Sequence, residues 1–336
     1  MSGLSFTDRV VLSAANLFAW LRHPHLSLAF LWRRRRRPTF ATPAGISELV
    51  QWRKIFDRNP LFPVVVDKLR VKDWARERVP GIATADVVWS GTAARDIPTE
   101  FLEPGYVAKT NHASSTNYFP HRKPLPRAEV DAKLDGWLAR RADNEAQWAY
   151  GQVPPRLMVE RMVGEGSPLQ EMTFRCCDGR ASTASVYLAQ KTPAEKRACF
   201  TPEGVRYPYE TGMSPTRRLP DDYRVGPEFF EARALAERLS QGIDFVRVDF
   251  MYHAGTIYLC ELTLYPDSGF GDEWRTHTAE VIYRDWLETL DRSWFFSAAR
   301  SWPAKLYASS MRRWIKQRRA DLDALAQQPP PDSVQH

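Results

Sequence analysis

The sequence predicts an α/β or α+β fold with antiparallel hairpins, on three observations. Segments with an apolar period near 3.6 are interleaved with extended segments of period two through most of the chain. Two of the extended runs, 245–252 and 257–264, are separated by a glycine-containing turn and read as a hairpin. The composition, 43% hydrophobic and 26% charged, is that of a globular protein and excludes a disordered or collagen-like chain. With 336 residues there is room for two or three domains, or one large one.

From the N-terminus, Phe6, Val10, Ala14, Leu17, Phe18 and Leu21 recur at helical spacing opposite Asp8, Arg9, Ser13 and Asn16, and Pro24 is expected to end that helix. Leu26, Leu28, Phe30, Leu31 and Trp32 follow, and then five arginines, Arg33 to Arg37. Apolar-then-basic reverses the order of a secretory signal, and no apolar run reaches the ~18 residues of a spanning helix. Two readings of 1–37 stand: an interfacial helix with a polybasic stop on anionic lipid, or a helix packed on the body with a solvated arginine run. Further on, the patterns predict helices at 44–57, 67–78, 127–142, 228–241 and 272–290. They predict strands at 86–90, 106–111, 156–163, 172–177, 182–189, 245–252 and 257–264. Residues 291–326 interleave Trp302, Tyr307 and Trp314 with Lys305, Arg312, Arg313 and Lys316, a basic aromatic helix suited to a bilayer interface or to docking on the body. The tail 327–336, with three consecutive prolines, reads as disordered.

Charge separates along the chain. Residues 1–60 carry a net +7 and 292–319 a net +8, the tail 320–336 carries −3, and the middle is left at −5. Basic ends around an acidic body point to an anionic surface partner, most often membrane lipid. No zinc finger, RNP motif or basic-zipper heptad supports nucleic acid. Four cysteines without CxxC or Cys/His spacing make a reducing compartment without structural zinc the default.

Three constellations could do chemistry. In the hairpin, Arg247 and Asp249 share one face and Glu261 and Thr263 share one face. A three-residue loop 254–256 would set Asp249 opposite Glu261, whereas a two-residue loop would put Cys260 there. Two adjacent carboxylates repel each other, and a Mg²⁺ between them reverses the sign of that interaction; an arginine beside them can steady a phosphoryl group. The bland alternative is a solvent-facing hairpin with scattered charges. Second, Lys109 ends the apolar strand Gly105-Tyr106-Val107-Ala108 and opens the small polar loop Thr110 to Asn117, as a phosphate-covering flap needs and as an ordinary surface loop also does. Third, Glu160 ends the apolar run Leu157-Met158-Val159, placing a carboxylate where a ribose or an adenine amino group could meet it. Walker, GxGxxG, GxSxG and HExxH motifs are absent.

The order of these pieces resembles the ATP-grasp superfamily. Arg247, Asp249, Glu261 and Pro266 look like the metal-binding hairpin of D-alanine–D-alanine ligases, and Asp67-Lys68-Leu69-Arg70 like their first nucleotide-binding lysine segment. Over roughly 38–290 the chain resembles the teichuronopeptide-biosynthesis (TupA-like) ATP-grasp family. The resemblance is carried by Asp57-Arg58-Asn59-Pro60-Leu61, Asp67-Lys68, Lys109-Thr110-Asn111-His112, Val159-Glu160, Phe245-Val246-Arg247-Val248-Asp249, Glu261-Leu262-Thr263 and Ser268-Gly269-Phe270. It departs from the pattern at Thr263, where ligases commonly have asparagine, at Ala113 and Ser115, where the flap usually has glycines, and at Thr173, where the branch often has lysine.

The resemblance implies an α+β, ATP-grasp fold in which two α+β subdomains sandwich ATP, flanked here by amphipathic helices. It implies domains at 1–37 (amphipathic, polybasic), 38–290 (ATP-grasp) and 291–326 (basic aromatic helix), then the tail. It implies Mg²⁺ on Asp249, Glu261 and Thr263, and ATP on Lys68, Lys109, Asn111, Ser114 and Glu160, with Lys109 also acting in catalysis. Arg247 would face the transferring phosphate. The implied reaction is carboxylate–amine ligation through an acyl phosphate, on a sugar, amino-acid or glycan precursor of bacterial surface polysaccharide. The enzyme would be cytoplasmic and peripheral at the inner membrane. A sugar or lipid-linked kinase, or a non-catalytic ATP-binding partner of glycan enzymes, are the alternatives.

Overall fold

The computed structural model describes residues 3–140, 146–164, 169–190, 192–208, 213–271, 277–299 and 301–327. The chain forms two compact units, one of Asn59–Pro266 and one of Met1–Arg58 with Asp267–His336. In chain order, its first helices are α1 (Phe6–Arg22), α2 (Pro24–Arg34), α3 (Ile46–Phe56), α4 (Phe62–Val65) and α5 (Arg70–Arg78). Then come β1 (Ala83–Thr84), β2 (Val87–Gly91), β3 (Tyr106–Thr110), β4 (Asn117–Tyr118), α6 (Arg127–Leu138), β5 (Leu157–Arg161), β6 (Gln170–Cys177), β7 (Arg180–Leu188) and β8 (Lys196–Phe200). The chain ends with α7 (Pro227–Ser240), β9 (Val246–His253), β10 (Thr256–Thr263), α8 (His277–Leu290), α9 (Trp294–Ala298) and α10 (Trp302–Ala326). The expected helices and strands all appear, within a few residues, wherever the structure describes them. The short elements α4, β1, β4 and β8 carry too few residues for a period to show. The tail beyond 327 lies outside the described residues.

The 59–266 unit holds two sheets. One has four strands in the order β2-β5-β3-β4, the other six in the order β1-β10-β9-β6-β7-β8. Ala108, Leu157 and Val159 of the smaller sheet pack with Val130 and Leu134 of α6 in one apolar core. On the larger sheet, strict alternation sorts the side chains. Met172, Phe174, Val248 and Phe250 are fully buried, and Phe174 meets Phe229 of α7 with ring centroids 5.2 Å apart. The intervening residues, Thr173, Arg175, Arg247 and Asp249, give the opposite face its polarity.

Of the two loops open to the β9–β10 hairpin, the structure takes the shorter. His253 pairs directly with Thr256, so the loop is two residues, Ala254 and Gly255, both at positive φ (46° and 80°). A regular ladder from that turn would place Cys260 opposite Asp249. A β-bulge between Leu259 and Glu261 absorbs one residue, and beyond it Glu261 pairs with Asp249 and Thr263 with Arg247. The expected juxtaposition is therefore present, reached through a bulge at Cys260 rather than a longer loop. Because Ala254 occupies a left-handed position that asparagine tolerates better, Ala254→Asn should stabilise the protein by about 0.5–1 kcal/mol, measured as a raised urea midpoint at unchanged slope.

In the unit of the two ends, α3 is central and almost wholly buried. Trp52 donates from Nε1 to the Tyr307 hydroxyl (2.9 Å), which donates in turn to the Ala41 carbonyl (3.0 Å), and Phe296 stacks on its ring. Glu48, fully buried, accepts from Arg36, from Thr39 N–H and hydroxyl, and from Ala44 N–H at 2.7–3.1 Å. Pro24 does not merely end the first helix; it occupies the first turn of α2, where its missing N–H costs nothing. The arginine run is neither a free polybasic arm nor simply solvated. Arg33 lies over Phe270 (4.5 Å), Arg34 donates to the Gly269 and Gly271 carbonyls, and Arg36 pairs with Glu48.

α1 rests on α10 through the side that carries Asp8, Leu12 and Ala19. Asp8 is 2% exposed, caps Ser5 reciprocally, and accepts from Arg313 at 2.6 Å, a contact that holds its carboxyl well below the usual range. Leu12 and Ala19 are buried on the same side. The apolar stripe read from the sequence, Phe6 to Leu21, faces outward instead. The C-terminal helix buries Tyr307, Met311, Trp314 and Ile315. No helix among the described residues is long and apolar enough to cross a membrane.

Candidate active site

Two adjacent strands bring the hairpin's charges together. Arg247 grips Asp249 with Nε 3.0 and 3.1 Å from the two carboxylate oxygens and Nη2 at 2.7 Å from one of them. The same Nη2 lies 3.3 Å from the Thr263 hydroxyl and 3.5 Å from Glu261 Oε1. Oxygens from Asp249, Glu261 and Thr263 thus converge on one cationic nitrogen. Burial raises the Asp249 carboxyl above its ordinary pKa; Arg247 opposes that, and the neighbouring Glu261 adds to it. Thr173, directly across β6 from Asp249 and 7% exposed, also hydrogen-bonds the carboxylate.

Lysines meet these acids from the other side of the unit. Lys68, at the start of the α5 segment, places Nζ 4.0 Å from Glu261 Oε2 and donates to the Ala113 carbonyl at 2.8 Å. Burial pulls its pKa down, and Glu261 partly restores it. Lys109 pairs in register with Met158, so Glu160, two residues along β5, shares its face. Its ammonium reaches Glu160 at 2.6 Å, and Lys72 from α5 reaches the other carboxylate oxygen at 2.9 Å. Burial pushes the Glu160 carboxyl up, but the two ammonium groups outweigh it and leave it below its ordinary value.

Two of the residues expected at ATP, Glu160 and Asn111, make close contacts within the protein. Glu160, expected at the adenine or ribose, has both oxygens committed to lysines and is 5% exposed. It holds the ammonium groups of Lys72 and Lys109 in place. Asn111, expected to touch ATP, is 1% exposed and fully used: Nδ2 donates to Asp67 (3.0 Å) and the Pro154 carbonyl (3.1 Å), and Oδ1 accepts from Arg156 N–H (2.8 Å). It fastens the Lys68 segment and the flap to the start of β5. Ser114, by contrast, is exposed in the loop between β3 and β4, next to Ser115 at φ 57°. His112 is 1% exposed, with Nε2 3.2 Å from the Arg140 carbonyl, and burial lowers its pKa.

Two side chains near the site, Lys72 and Tyr150, escaped the sequence reading, and a third, Thr173, entered it only as a departure from the family pattern. Lys72 stands one helical turn after Lys68, and that i, i+4 spacing was a usable signal. Thr173 reaches Asp249 only through sheet pairing, which no local pattern encodes. Tyr150 is held protonated, its phenol pushed up by burial and then by the charge of Glu261.

Among the described residues no cluster of three or more His, Cys, Asp or Glu side chains is arranged to hold a metal. Mg²⁺, however, is commonly held by one or two carboxylates together with substrate phosphates, and it takes only oxygen. Asp249, Glu261 and Thr263 present such oxygens, already gathered around a cation, so they fit it. Lys68 and Lys109 add the positive charge that a polyphosphate requires.

A family model described as TupA-like ATPgrasp matches residues 48–283. No curated protein matches the chain. Among solved structures, the chain is similar to the D-alanine–D-alanine ligase from Bacillus anthracis complexed with ATP, with 16% identity, 67% of this chain and 64% of that one covered, and a TM-score of 0.37. It is also similar to the ATP-grasp ligase PsnB complexed with minimal precursor, with 11% identity, 65% and 60% covered, and a TM-score of 0.35. The chain thus spans less than two thirds of the length of either protein.

Proposed function

Because the chain belongs to the TupA-like ATP-grasp family, we propose that it is an ATP- and Mg²⁺-dependent ligase joining a carboxylate to an amine. Its α+β fold is the ATP-grasp fold, with residues 38–290 as the catalytic domain. The observation that carries the reading is the convergence of Asp249, Glu261 and Thr263 oxygens on Arg247 Nη2, with Lys68 4.0 Å from Glu261.

Asp249, Glu261 and Thr263 would hold Mg²⁺, which supplies charge neutralisation for the β- and γ-phosphates. Lys68 and Lys109 bind phosphate oxygens, and the exposed hydroxyl of Ser114 covers them from the flap. A substrate carboxylate oxygen attacks the γ-phosphorus, ADP departs, and an acyl phosphate forms. Arg247 stabilises the negative charge that spreads over the phosphoryl oxygens. The amine then attacks the acyl carbon, inorganic phosphate leaves, and the amine loses a proton. No protein nucleophile is required; alignment and electrostatics suffice.

We assign the carboxylate to a sugar, amino-acid or glycan precursor of bacterial surface polysaccharide, and place the enzyme in the cytoplasm against the inner membrane. The family resemblance and the basic ends support both. Hydroxylamine trapping tests the chemistry. With ATP, Mg²⁺ and a pool of uronic and amino acids, an acyl phosphate yields a hydroxamate. ADP release without hydroxamate would instead favour a kinase, and ATP binding without turnover in any pool would favour a non-catalytic partner.

A further inference from the structure

We infer that the outward face of α1 and α2 is the docking surface for an anionic lipid bilayer. The inference deepens the membrane placement just proposed and rests on that placement alone, not on the ligase chemistry. Fourteen large apolar side chains are exposed among the described residues, and eight of them lie between Phe6 and Trp32. Scattered exposed hydrophobics are ordinary, but a concentration on one helix pair is not. The main contributors are Phe6 (75% exposed), Leu17 (59%), Phe18 (56%), Leu21 (73%), Leu28 (62%) and Trp32 (68%). Phe6, Leu17, Phe18 and Leu21 on α1, with the exposed Val10, lie on one side of the helix, opposite the Asp8, Leu12 and Ala19 side that packs on α10. The helix is therefore already anchored to the protein by its other side, and among the described residues the stripe stays exposed.

Charge selects the occupant. The only acid in residues 1–37 is Asp8, buried and paired with Arg313. The exposed charges on these helices are cationic, Arg9 and Arg22 on α1 and Arg35 and Arg37 after α2. A second copy presenting the same face would set these cations against one another. An anionic bilayer offers the opposite charge at its surface and an apolar medium beneath. Because Arg33, Arg34 and Arg36 are tied within the protein, lipid attraction comes from Arg9, Arg22, Arg35 and Arg37 rather than from the whole run.

The test is flotation of the full chain with phosphatidylcholine vesicles, with and without about 30% phosphatidylglycerol. The parent protein should float with the phosphatidylglycerol vesicles. Leu17→Glu with Phe18→Glu should lower that partition by about tenfold or more, with the circular dichroism spectrum retained. Arg9→Gln with Arg22→Gln should weaken binding to the anionic vesicles and leave the weak binding to pure phosphatidylcholine unchanged. If the parent stays off anionic vesicles, or the Glu pair floats like the parent, the inference falls. It falls equally if light scattering shows a dimer that the Glu pair splits, since the stripe then belongs to a second copy. Asp249→Asn should float like the parent, so a failure of the lipid surface and a failure of the ligase reading are read separately.

Discussion

Replacing Asp249 with asparagine should cut Mg²⁺-dependent ATP turnover by about two to three orders of magnitude while leaving nucleotide binding largely in place. The substitution is nearly isosteric, and Thr173 keeps a partner at that position. It removes the buried negative charge that meets Glu261 across the hairpin. Lys68 and Lys109, the groups assigned to the phosphates, are untouched. The expected signature is a fall in kcat with a much smaller change in ATP affinity, measured by ADP release and by equilibrium binding of ATP. Turnover at the parent rate would sink the metal assignment. Loss of ATP binding together with turnover would indicate that the hairpin had lost its shape, and a circular dichroism melt separates that case.

The second large effect concerns stability. Glu160→Gln should cost about 3–5 kcal/mol, because it leaves two lysines without their shared counter-charge in a buried setting. Glu160 is 5% exposed, with Lys109 at 2.6 Å and Lys72 at 2.9 Å. The pH dependence follows from the same contacts. The folded carboxyl titrates below its ordinary 4.5, so the parent holds this stabilisation in full above about that pH and loses it as the pH falls through the folded value. The glutamine variant should show a flatter acid limb. Lys72 is already lowered from 10.5 by burial, with Glu160 opposing the shift, so removing Glu160 should lower it further. The unfolded chain then binds more protons than the folded one over a wider range, and the variant should recover stability as the pH rises toward 10.5. Urea midpoints measured from acid to alkaline pH check both limbs. A variant that unfolds at the parent's midpoint throughout would show that Glu160 carries no structural charge.

Much of this architecture was legible in the sequence because it rests on local periodicity. The long strands and helices fall where apolar residues recur at two or at 3.6 residues, and the hairpin followed from two such runs around Ala254-Gly255. The sequence tied the pairing of Asp249 with Glu261 to a three-residue loop, whereas the two-residue loop reaches it through a bulge. A turn's length can be guessed from its residues, but a bulge such as that at Cys260 depends on how three strands share one ladder. For Glu160 and Asn111, position along a strand or loop does not reveal which protein partners arrive from distant segments. Lys72 and Arg156 N–H supply those partners from outside the local pattern.

At the N-terminus the periodicity placed an apolar stripe on α1 without saying which way it faces. A helical period records that one side is apolar, and burial against α10 or exposure to a bilayer satisfies it equally. The Asp8–Arg313 pair joins Leu12 and Ala19 in holding the opposite side against α10, with Arg9 and Ser13 left exposed, and Glu48 and two glycine carbonyls draw Arg36 and Arg34 out of the basic run. The amino-acid order alone determined the elements and the charge layout. Which side chains point at one another, and which are spent holding the others in place, was decided only by long-range packing, because hydrogen-bond and charge partners are chosen in space and not along the chain.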